Sequence, residues 1–434
     1  MRRKWNEMDM AERFWQTDAA EKVRPGAFDE NAALLLSLVK DAARAGEREI
    51  VAPADFIRGG DCGSLNDHPA FQCALAAAQE KFLKAAAKVR NAPKVRFARI
   101  ALDPPPISCA GPDPRFPFCG RPADVFSRQV RGLARRLAAI GCRDAVVGLS
   151  GGLDSALALL VTVAAFDRLG FDRRGVHVFT MPGFGTTRRT RGNAEYLAEG
   201  LGLALETIDI TPACRLHFKD IGQSERVRDV TYENAQARER TQILMDKANQ
   251  AGGIVVGTGD MSEIALGWCT YNGDHMSMFG ANAGVPKTVV REVCRWWAED
   301  EGRAGTLAAR ALLDIVATPV SPELLPSKRG EIAQKTEDKV GPYELHDFSL
   351  WHFIAGQSGR AEILKAAKAA FRGQYAAGEI SKWLDVFFRR FIAQSFKRNC
   401  APDGVQVFSV YLAPGAWHVP SDISPSFLRP RARA

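Results

Sequence analysis

Short apolar runs alternate with longer helical stretches through the middle of the chain. The first run, Ala145–Leu149, is followed by three apolar, β-branched segments that begin near Val176, Leu203 and Gly252. Short apolar runs at helix-length intervals are typical of buried parallel strands with crossover helices. The pattern therefore predicts an α/β fold with a doubly wound, mostly parallel, Rossmann-like sheet. In such folds ligands bind at the carboxyl ends of the strands.

Helical spacing of apolar residues marks the segments between and after these strands. A helix over Ser155–Leu169 follows the first strand directly, and "TRGNAEYLAEGLG" ends with Gly202, a residue type common at helix C-termini. The C-terminal third contains "AEILKAAKAAF" and "ISKWLDVFFRRFIAQSF". This spacing predicts a helical C-terminal subdomain that packs on the sheet.

A proline-rich segment separates the N-terminal part of the chain from the sheet. The stretch "DPPPISCAGPDPRFPFCGRP", from Asp103 to Pro122, contains too much proline for a helix or a central strand. We therefore expect an N-terminal region over residues 1–100, a linker over 101–122 and the sheet-containing domain over 123–434.

The composition is that of a globular protein. The chain has 434 residues, of which 46% are hydrophobic, and this is enough for a full core. No apolar run is long enough to cross a membrane, and acids interrupt the start "MRRKWNEMDMAERFW", where a secretory signal would be apolar. Nine cysteines are scattered without a C-x-x-C pair. We expect reduced thiols, a cytoplasmic location and no membrane partner.

The formal net charge is +8 and the sequence pI is about 9.0. A basic excess is typical of nucleic-acid-binding proteins, and it equally suits a small substrate that carries several phosphates. The lysines and arginines are dispersed, apart from "FFRRF", "SFKRN" and the tail "RPRARA". Dispersal favours the phosphorylated substrate, and we expect no nucleic-acid partner.

The junction "LSGGLDS", after the first predicted strand, has the composition of a phosphate-binding loop. Gly151 and Gly152 let the backbone approach an anion, and the following helix offers its first N–H groups. Two glycines alone more often form an ordinary strand-to-helix turn. Asp154 changes this balance, because a carboxylate beside phosphates calls for a Mg²⁺ ion between them. The sequence contains no lysine-bearing P-loop and no complete dinucleotide-binding glycine pattern.

The hexamer S-G-G-x-D-S resembles the pyrophosphate loop of the N-type ATP pyrophosphatases, enzymes of adenine nucleotide alpha hydrolase-like fold. Three downstream blocks resemble the synthetase domain of the long, glutamine-dependent NAD synthetases: "TYENAQARERTQILMDKAN", "GTGDMSEIALGWCTYNGDHMSMFGANAGVPKT" and "SPELLP…QKTEDKVGPYELHDF". The resemblance runs from about Arg121 to about Ser421. It implies a ligase that adenylylates the nicotinate carboxylate of deamido-NAD with ATP and then lets ammonia displace AMP.

The resemblance also implies roles for single residues. Asp154 and Glu263 would hold Mg²⁺, and Asp274 would take a proton from ammonium. Loop acids such as Asp274 are more often turn formers, and Lys287, which matches a catalytic lysine on the phosphates, could instead be a solvated surface residue. ATP is expected to contact Gly148, Ser150, Gly151, Gly152, Asp154, Ser155, Thr258, Lys287 and Ser321, and deamido-NAD to contact Asn234, Glu263, Trp268, Tyr271 and Lys397.

Other enzymes share the pyrophosphate loop, namely GMP synthetase, asparagine synthetase and tRNA-modifying adenylylases. The block "GTGDMSE…GDHMSM" argues against them. A silent binding or regulatory homologue is a further alternative, but such a protein would be expected to lose the magnesium carboxylates, and both are present. NAD synthetase is therefore the favoured function.

The N-terminal region resembles only part of the nitrilase-like glutaminase with which long NAD synthetases begin. Residues 29–65 resemble its opening strand, helix and strand, but Ala54 stands where the family has the glutamate of its Cys-Glu-Lys set. Cys62 and Cys73 lack the context of the family nucleophile. We expect a remnant domain, and an enzyme that uses free ammonia or ammonia from a separate glutaminase. A homodimer or higher homo-oligomer is also expected.

Overall fold

The computed structural model describes residues 22–59, 62, 65–98, 106–108, 111–319, 324–325, 336–414 and 416–424. The described residues before position 106 form one compact unit together with Arg135–Gly141, and the remaining described residues form a second. Among the helices of these residues, none combines the length and the apolar character that a membrane span requires.

The N-terminal unit has α/β structure. Its elements are α1 (Phe28–Arg44), β1 (Glu49–Pro53), α2 (Pro69–Ala86) and β2 (Lys94–Ala98). The two strands pair in parallel, with Glu49 opposite Lys94. Leu35 of α1 and Phe82 of α2 share a buried cluster with Ala52 of β1, so both helices contribute to one small core.

The C-terminal unit contains a five-stranded sheet in which every strand pair is parallel. Its strands are β3 (Ala145–Gly148), β4 (Val176–Thr180), β5 (Leu205–Thr207), β6 (Ile254–Gly257) and β7 (Phe279–Gly280). Their spatial order is β5-β4-β3-β6-β7, so the chain winds outward from β3 in both directions. This order confirms the predicted doubly wound sheet and places its switch point between β3 and β6.

The two edge strands differ from what the sequence pattern predicts. The pattern does not indicate β7, because a strand of two residues has no detectable periodicity. β5 contains only three residues of the run that begins at Leu203. Glu206 and Thr207 are exposed on this edge strand, which is why its apolar pattern is weak.

The helix after β3 is the most buried helix of the sheet-containing part. α4 (Leu153–Leu169) begins at Leu153 rather than at the predicted Ser155, and it ends at Gly170 with φ +64°. Twelve of its 17 residues are buried, as expected for a helix covered by neighbours. The other helices here are α3 (Pro122–Ile140), whose residues from Arg135 onward belong to the first unit, α5 (Arg188–Gly200), α6 (Thr211–Ile221), α7 (Val230–Ala251), α8 (Met261–Leu266), α9 (Lys287–Glu299) and α10 (Leu307–Ala317).

The C-terminal helices pack through aromatic side chains, which confirms the predicted helical subdomain. The ring centroids of Phe348 and Phe371 lie 5.5 Å apart, and those of Phe387 and Phe391 lie 5.4 Å apart. The predicted helical run that includes both of the latter is divided at Gln394. The helices are α11 (Thr336–Val340), α12 (Tyr343–Ile354), α13 (Arg360–Ala370), α14 (Ala377–Ala393) and α15 (Ser395–Arg398).

Part of the proline-rich segment is described, as residues 106–108 and 111–121. Ile107 forms a parallel bridge with Phe408, and its N–H donates to Val407 O at 2.9 Å. The ring of Phe118 packs edge-on against Trp351 at 5.0 Å. These described residues therefore pack on the C-terminal unit.

Candidate active site

The loop after β3, residues 149–155, has the geometry of an anion-binding turn. Gly151 has φ +83°, and a Cβ atom there would lie 2.0 Å from Thr190 O, so glycine is required. Gly152 is the N-cap of α4, and this helix has no side-chain cap. The first N–H groups of α4 therefore remain available to an anion such as phosphate.

Small residues and hydroxyls set the shape of this loop. Ser155 Oγ donates to Gly152 O at 3.0 Å, and Ser150 N donates to Ser155 Oγ at 3.3 Å. Ser155 is buried and shapes the turn, whereas Ser150 is exposed and can reach a ligand. A Cβ atom on Gly148 would lie 2.9 Å from Leu244 Cδ1, so a larger residue at the end of β3 would require the end of the Leu244 side chain to shift.

A buried lysine lies among three carboxylates at the ends of β3 and β6. Lys287 Nζ is 2.6 Å from Asp154 Oδ2, 3.0 Å from Glu263 Oε1 and 2.8 Å from Asp260 Oδ2. The contact with Asp260 is an ion pair without hydrogen-bond geometry. Only 2% of the Lys287 side chain is exposed, so the interpretation of this lysine as a solvated surface residue is wrong.

The charges of this group do not cancel. One ammonium and three ionised carboxylates would leave a net charge of −2 (+1 − 3) in a buried place. Burial, only partly offset by Lys287, raises the pKa of Glu263 to about 7 and the pKa of Asp260 well above its usual range. Burial lowers the pKa of Lys287, but the three carboxylates outweigh burial and keep it above its ordinary value.

The three carboxylates suit a divalent cation. One oxygen from each of Asp154, Asp260 and Glu263 lies within 4.8 Å of the other two. Asp154 Oδ1 is buried and has no hydrogen-bond partner among the described residues. An all-oxygen set with excess negative charge matches the preference of Mg²⁺. The residues therefore fit the ion expected from the sequence, with Asp260 as a third carboxylate.

Asp260 is a residue that the sequence interpretation misses. It is fully buried and is the N-cap of α8, where its Oδ1 accepts from Glu263 N at 2.8 Å. An acid three residues before another acid at a helix start is also the ordinary pattern of an N-cap. The capping pattern could have located the helix start, but not the approach of Lys287.

Asn282 is a second residue that the sequence does not reveal. Its Nδ2 donates to Asp154 O at 2.9 Å and to Thr258 O at 3.0 Å, and its Oδ1 accepts from Gln129 Nε2 at 2.9 Å. Asn282 is fully buried. It therefore joins the loops after β3 and β6 and holds the predicted ATP residues Asp154 and Thr258 in one place.

A cleft that opens to solvent lies beside the carboxylates. Its lining brings together four residues predicted for ATP, deamido-NAD or catalysis: Thr258, Glu263, Asp274 and Lys397. Ser321, which is also predicted for ATP, lies outside the described residues.

Asp274 lies in the cleft wall and is linked to Asn234 through Thr270. Asp274 Oδ1 accepts from Thr270 N at 2.6 Å, and Thr270 Oγ1 donates to Asn234 Oδ1 at 2.7 Å. Asp274 is exposed to solvent. Protein atoms around its carboxyl nevertheless displace water from it, and this raises the pKa of Asp274. A carboxylate whose pKa is raised is a stronger base than an ordinary aspartate.

The remaining predicted residues lie on the segments around this wall. Lys397 Nζ donates to Gly267 O at 2.9 Å and to Cys269 O at 2.6 Å, so it fixes the segment that carries Trp268. The Trp268 ring lies 5.2 Å from the guanidinium of Arg390. The exposed ring of Tyr271 stacks on the ring of His275, with the two ring centroids 5.3 Å apart.

Comparisons with known proteins agree on one family. A sequence model described as NAD synthase matches residues 125–369. The glutamine-dependent NAD(+) synthetase of Mycobacterium tuberculosis is 41% identical over 366 residues, which cover 76% of this chain and 53% of the relative. That of Rhodobacter capsulatus is 33% identical over 257 residues, which cover 56% of this chain and 44% of the relative.

A solved structure shares the fold. The glutamine-dependent NAD(+) synthetase of Cytophaga hutchinsonii matches with a TM-score of 0.56 and 17% identity, over 70% of this chain and 55% of that chain. At this identity the likeness supports the fold alone. The chain spans about half the length of the curated relatives named above, 53% and 44%.

Proposed function

The chain belongs to the NAD synthase family, and we propose that it converts deamido-NAD to NAD with ATP and ammonia, releasing AMP and pyrophosphate. The observation that carries the proposal is the position of Lys287 among Asp154, Asp260 and Glu263, beside an uncapped helix N-terminus and a cleft. The family match does not favour GMP synthetase, asparagine synthetase or the tRNA-modifying adenylylases.

The first proposed step is adenylylation. A nicotinate carboxylate oxygen forms a bond to the α-phosphorus of ATP, and the bond from that phosphorus to the bridging oxygen of pyrophosphate breaks. Asp154 and Glu263, with Asp260, would hold a Mg²⁺ ion that offsets the charge of the phosphates. Lys287 and the first N–H groups of α4 would bind the departing pyrophosphate, because both carry positive charge.

The position of Lys287 requires an exchange of partners in this step. Its ammonium is bound by three carboxylates, and an incoming triphosphate would compete with them for it. A compact, flexible ammonium can change partners over a short distance without a change of backbone. We propose that Lys287 leaves at least one carboxylate when Mg-ATP binds.

The second proposed step is amide formation. Ammonium first loses one proton, and the resulting ammonia forms a bond to the carboxyl carbon of the adenylate. AMP departs with the bonding electron pair, and the nitrogen releases a second proton to solvent. Asp274 is suited to remove the proton from ammonium, since its carboxyl lines the cleft and its pKa is raised. Asn234, Trp268, Tyr271 and Lys397 are proposed to bind deamido-NAD.

We further propose that the nitrogen source is free ammonia, or ammonia from a separate glutaminase, although the curated relatives are named as glutamine-dependent. Ala54 directly follows β1 and offers a methyl group where a glutaminase of the nitrilase type needs a carboxylate. Three further points remain proposals from the sequence: that the N-terminal unit is a glutaminase remnant, that the protein is cytoplasmic, and that it forms a homo-oligomer.

The test is a complete product analysis. The chain is incubated with deamido-NAD, Mg-ATP and ammonium chloride, and NAD, AMP and pyrophosphate are measured by chromatography. Equal amounts of the three products are expected. Release of ADP and phosphate would contradict the adenylylation mechanism, and turnover of XMP or tRNA in place of deamido-NAD would assign the chain to another reaction.

A further inference from the structure

Asp347, on α12, is a buried carboxylate that the proposed reaction does not use. Only 2% of this residue is exposed. Its Oδ1 accepts a hydrogen bond from Ser262 Oγ, and its Oδ2 accepts from Thr288 N at 3.1 Å and from Thr288 Oγ1 at 2.7 Å. A buried carboxylate needs such donors, because a charge that is buried without them is strongly destabilising. The donors of Asp347 come from two helix starts outside its own helix.

Both partners of Asp347 are next to residues of the proposed site. Ser262 precedes Glu263 in α8, and Thr288 follows Lys287, the first residue of α9. The Ser262 hydroxyl also accepts from Lys287 N at 2.8 Å. One carboxylate therefore connects the backbone that carries the lysine with the backbone that carries Glu263, a carboxylate proposed for the metal.

The start of α9 depends on this connection. Its N-cap is Pro286, which supplies no side-chain cap, so the first N–H groups of the helix need partners from elsewhere. Asp347 supplies one partner for Thr288 N, and its negative charge is favourable at a helix N-terminus. The same helix α12 contributes Tyr343, whose ring lies 5.2 Å from Lys287 Nζ.

We propose that Asp347 is a positioning residue for nucleotide binding, which holds the start of α9 so that the Lys287 ammonium meets the phosphates of ATP. Asp347 touches neither the ammonium nor the cleft in the contacts described above, and it acts through Ser262 and Thr288. The proposal rests on the proposed function in one respect, the assignment of Lys287 to the phosphates.

The experiment is a double-mutant cycle on Mg-ATP binding, measured by calorimetry on the full chain without deamido-NAD. Asp347→Asn keeps the shape of the side chain and removes its charge. We expect about tenfold weaker binding in Asp347→Asn and a similar loss in Lys287→Met, as is usual for a charged hydrogen bond. If Asp347 acts through Lys287, the double variant loses little more than either single variant.

The control lies on the same helix. Ser349 is buried and donates only within α12, to Leu345 O at 2.7 Å, so Ser349→Ala removes a buried hydrogen bond without touching the site. We expect its Mg-ATP affinity to match that of the unaltered protein. Thermal unfolding of each variant separates a loss of fold from a loss of binding.

Two results would overturn the proposal: unchanged affinity in Asp347→Asn, or losses that add fully in the double variant. If Asp347→Asn does not fold, Thr288→Val replaces it, because this change removes one hydrogen bond and keeps the size of the side chain. It should weaken binding by about threefold, and unchanged affinity would count against the proposal. NAD formation by the unaltered chain is measured separately, so Mg-ATP binding without NAD would refute only the proposed function.

Discussion

Lys287 Nζ lies 2.8 Å from Asp260 Oδ2, and both side chains are almost completely buried. Two further carboxylates reach the same ammonium, so the lysine has more negative partners than it can neutralise. Such a surplus destabilises a fold that has no cation to balance it. The excess is therefore better explained by ligand binding than by stability.

Asp260→Asn should separate stability from activity. Asparagine is as good an N-cap as aspartate, so α8 keeps its first hydrogen bond while one surplus charge is lost. We expect thermal unfolding at an equal or higher temperature, together with a loss of NAD formation of at least about tenfold.

The matched control for Asp260→Asn is Asp229→Asn, the same change at the exposed N-cap of α7. It should leave turnover unchanged. A fall of more than about 2 kcal/mol in the free energy of unfolding of Asp260→Asn would show that Asp260 mainly stabilises the fold.

Asp154→Asn and Glu263→Gln should each lower the rate of NAD formation at least about a hundredfold, because each takes away a carboxylate proposed for the metal. Initial rates of NAD formation at saturating Mg-ATP measure this. Asp167→Asn is a suitable control, since Asp167 lies at the far end of α4 and pairs with Arg173 at the surface. Near-normal rates in either site variant would contradict the metal assignment.

Binding of Mg²⁺ should strengthen as the pH rises through about 7. Burial raises the pKa of Glu263 to about 7, so below this pH the carboxyl is mostly protonated and a metal must displace the proton. Between about pH 6 and pH 8 we expect about tenfold stronger binding, with release of protons. Calorimetric titration with Mg²⁺ in two buffers of different ionisation enthalpy measures both effects.

The control for this pH effect is Glu263→Gln, which has no carboxyl to titrate at that position. Its Mg²⁺ binding should be weak at every pH and should release fewer protons. Equal proton release in this variant and in the unaltered chain would assign the titration to another group, such as Asp260, whose pKa burial also raises.

Asp274→Asn should lower amide formation more than adenylate formation. The amide oxygen can still accept from Thr270 N, so the wall keeps its shape and only the basic carboxylate is lost. Exchange of labelled pyrophosphate into ATP reports adenylate formation, and NAD formation from ammonium reports both steps. Because the protein atoms around its carboxyl raise the pKa of Asp274, the unaltered chain should lose amide formation as the pH falls through that pKa. Equal losses in both assays would reassign Asp274 to substrate binding.

The sheet and the loop after β3 could be predicted because their signals are local. An apolar run, two glycines and an acid are adjacent in sequence, and they occur at a strand end, a turn and a helix start. The parallel order follows from the spacing of the strands. The short strand β7 gives no such signal, since it depends on pairing with β6.

The buried residues that hold the site together could not be predicted, because their contacts join distant parts of the chain. Asn282 reaches Asp154 O, which is 128 positions away, and Asp347 reaches Ser262 Oγ, which is 85 positions away. A single buried amide or acid in an apolar segment has no periodic pattern. Its partners become evident only when the tertiary structure brings the segments together.

Glutamine alone should not support NAD formation by this chain, whereas ammonium chloride should. Release of ammonia from glutamine by the nitrilase route needs a thiolate to attack the amide, a carboxylate to take its proton and a cation to hold the oxyanion. Ala54 follows β1 directly, and the next residue, Asp55, pairs with Arg58 at 3.4 Å.

The assay compares saturating glutamine with ammonium chloride and follows glutamate release. A second arm adds a separate glutaminase, which should restore glutamine use. In the proposed reaction neutral ammonia is the nucleophile, so rates with ammonium should rise toward alkaline pH. Cys62→Ser and Cys73→Ser should leave every rate unchanged. Stoichiometric glutamate release that either substitution abolishes would show that the N-terminal unit is a working glutaminase.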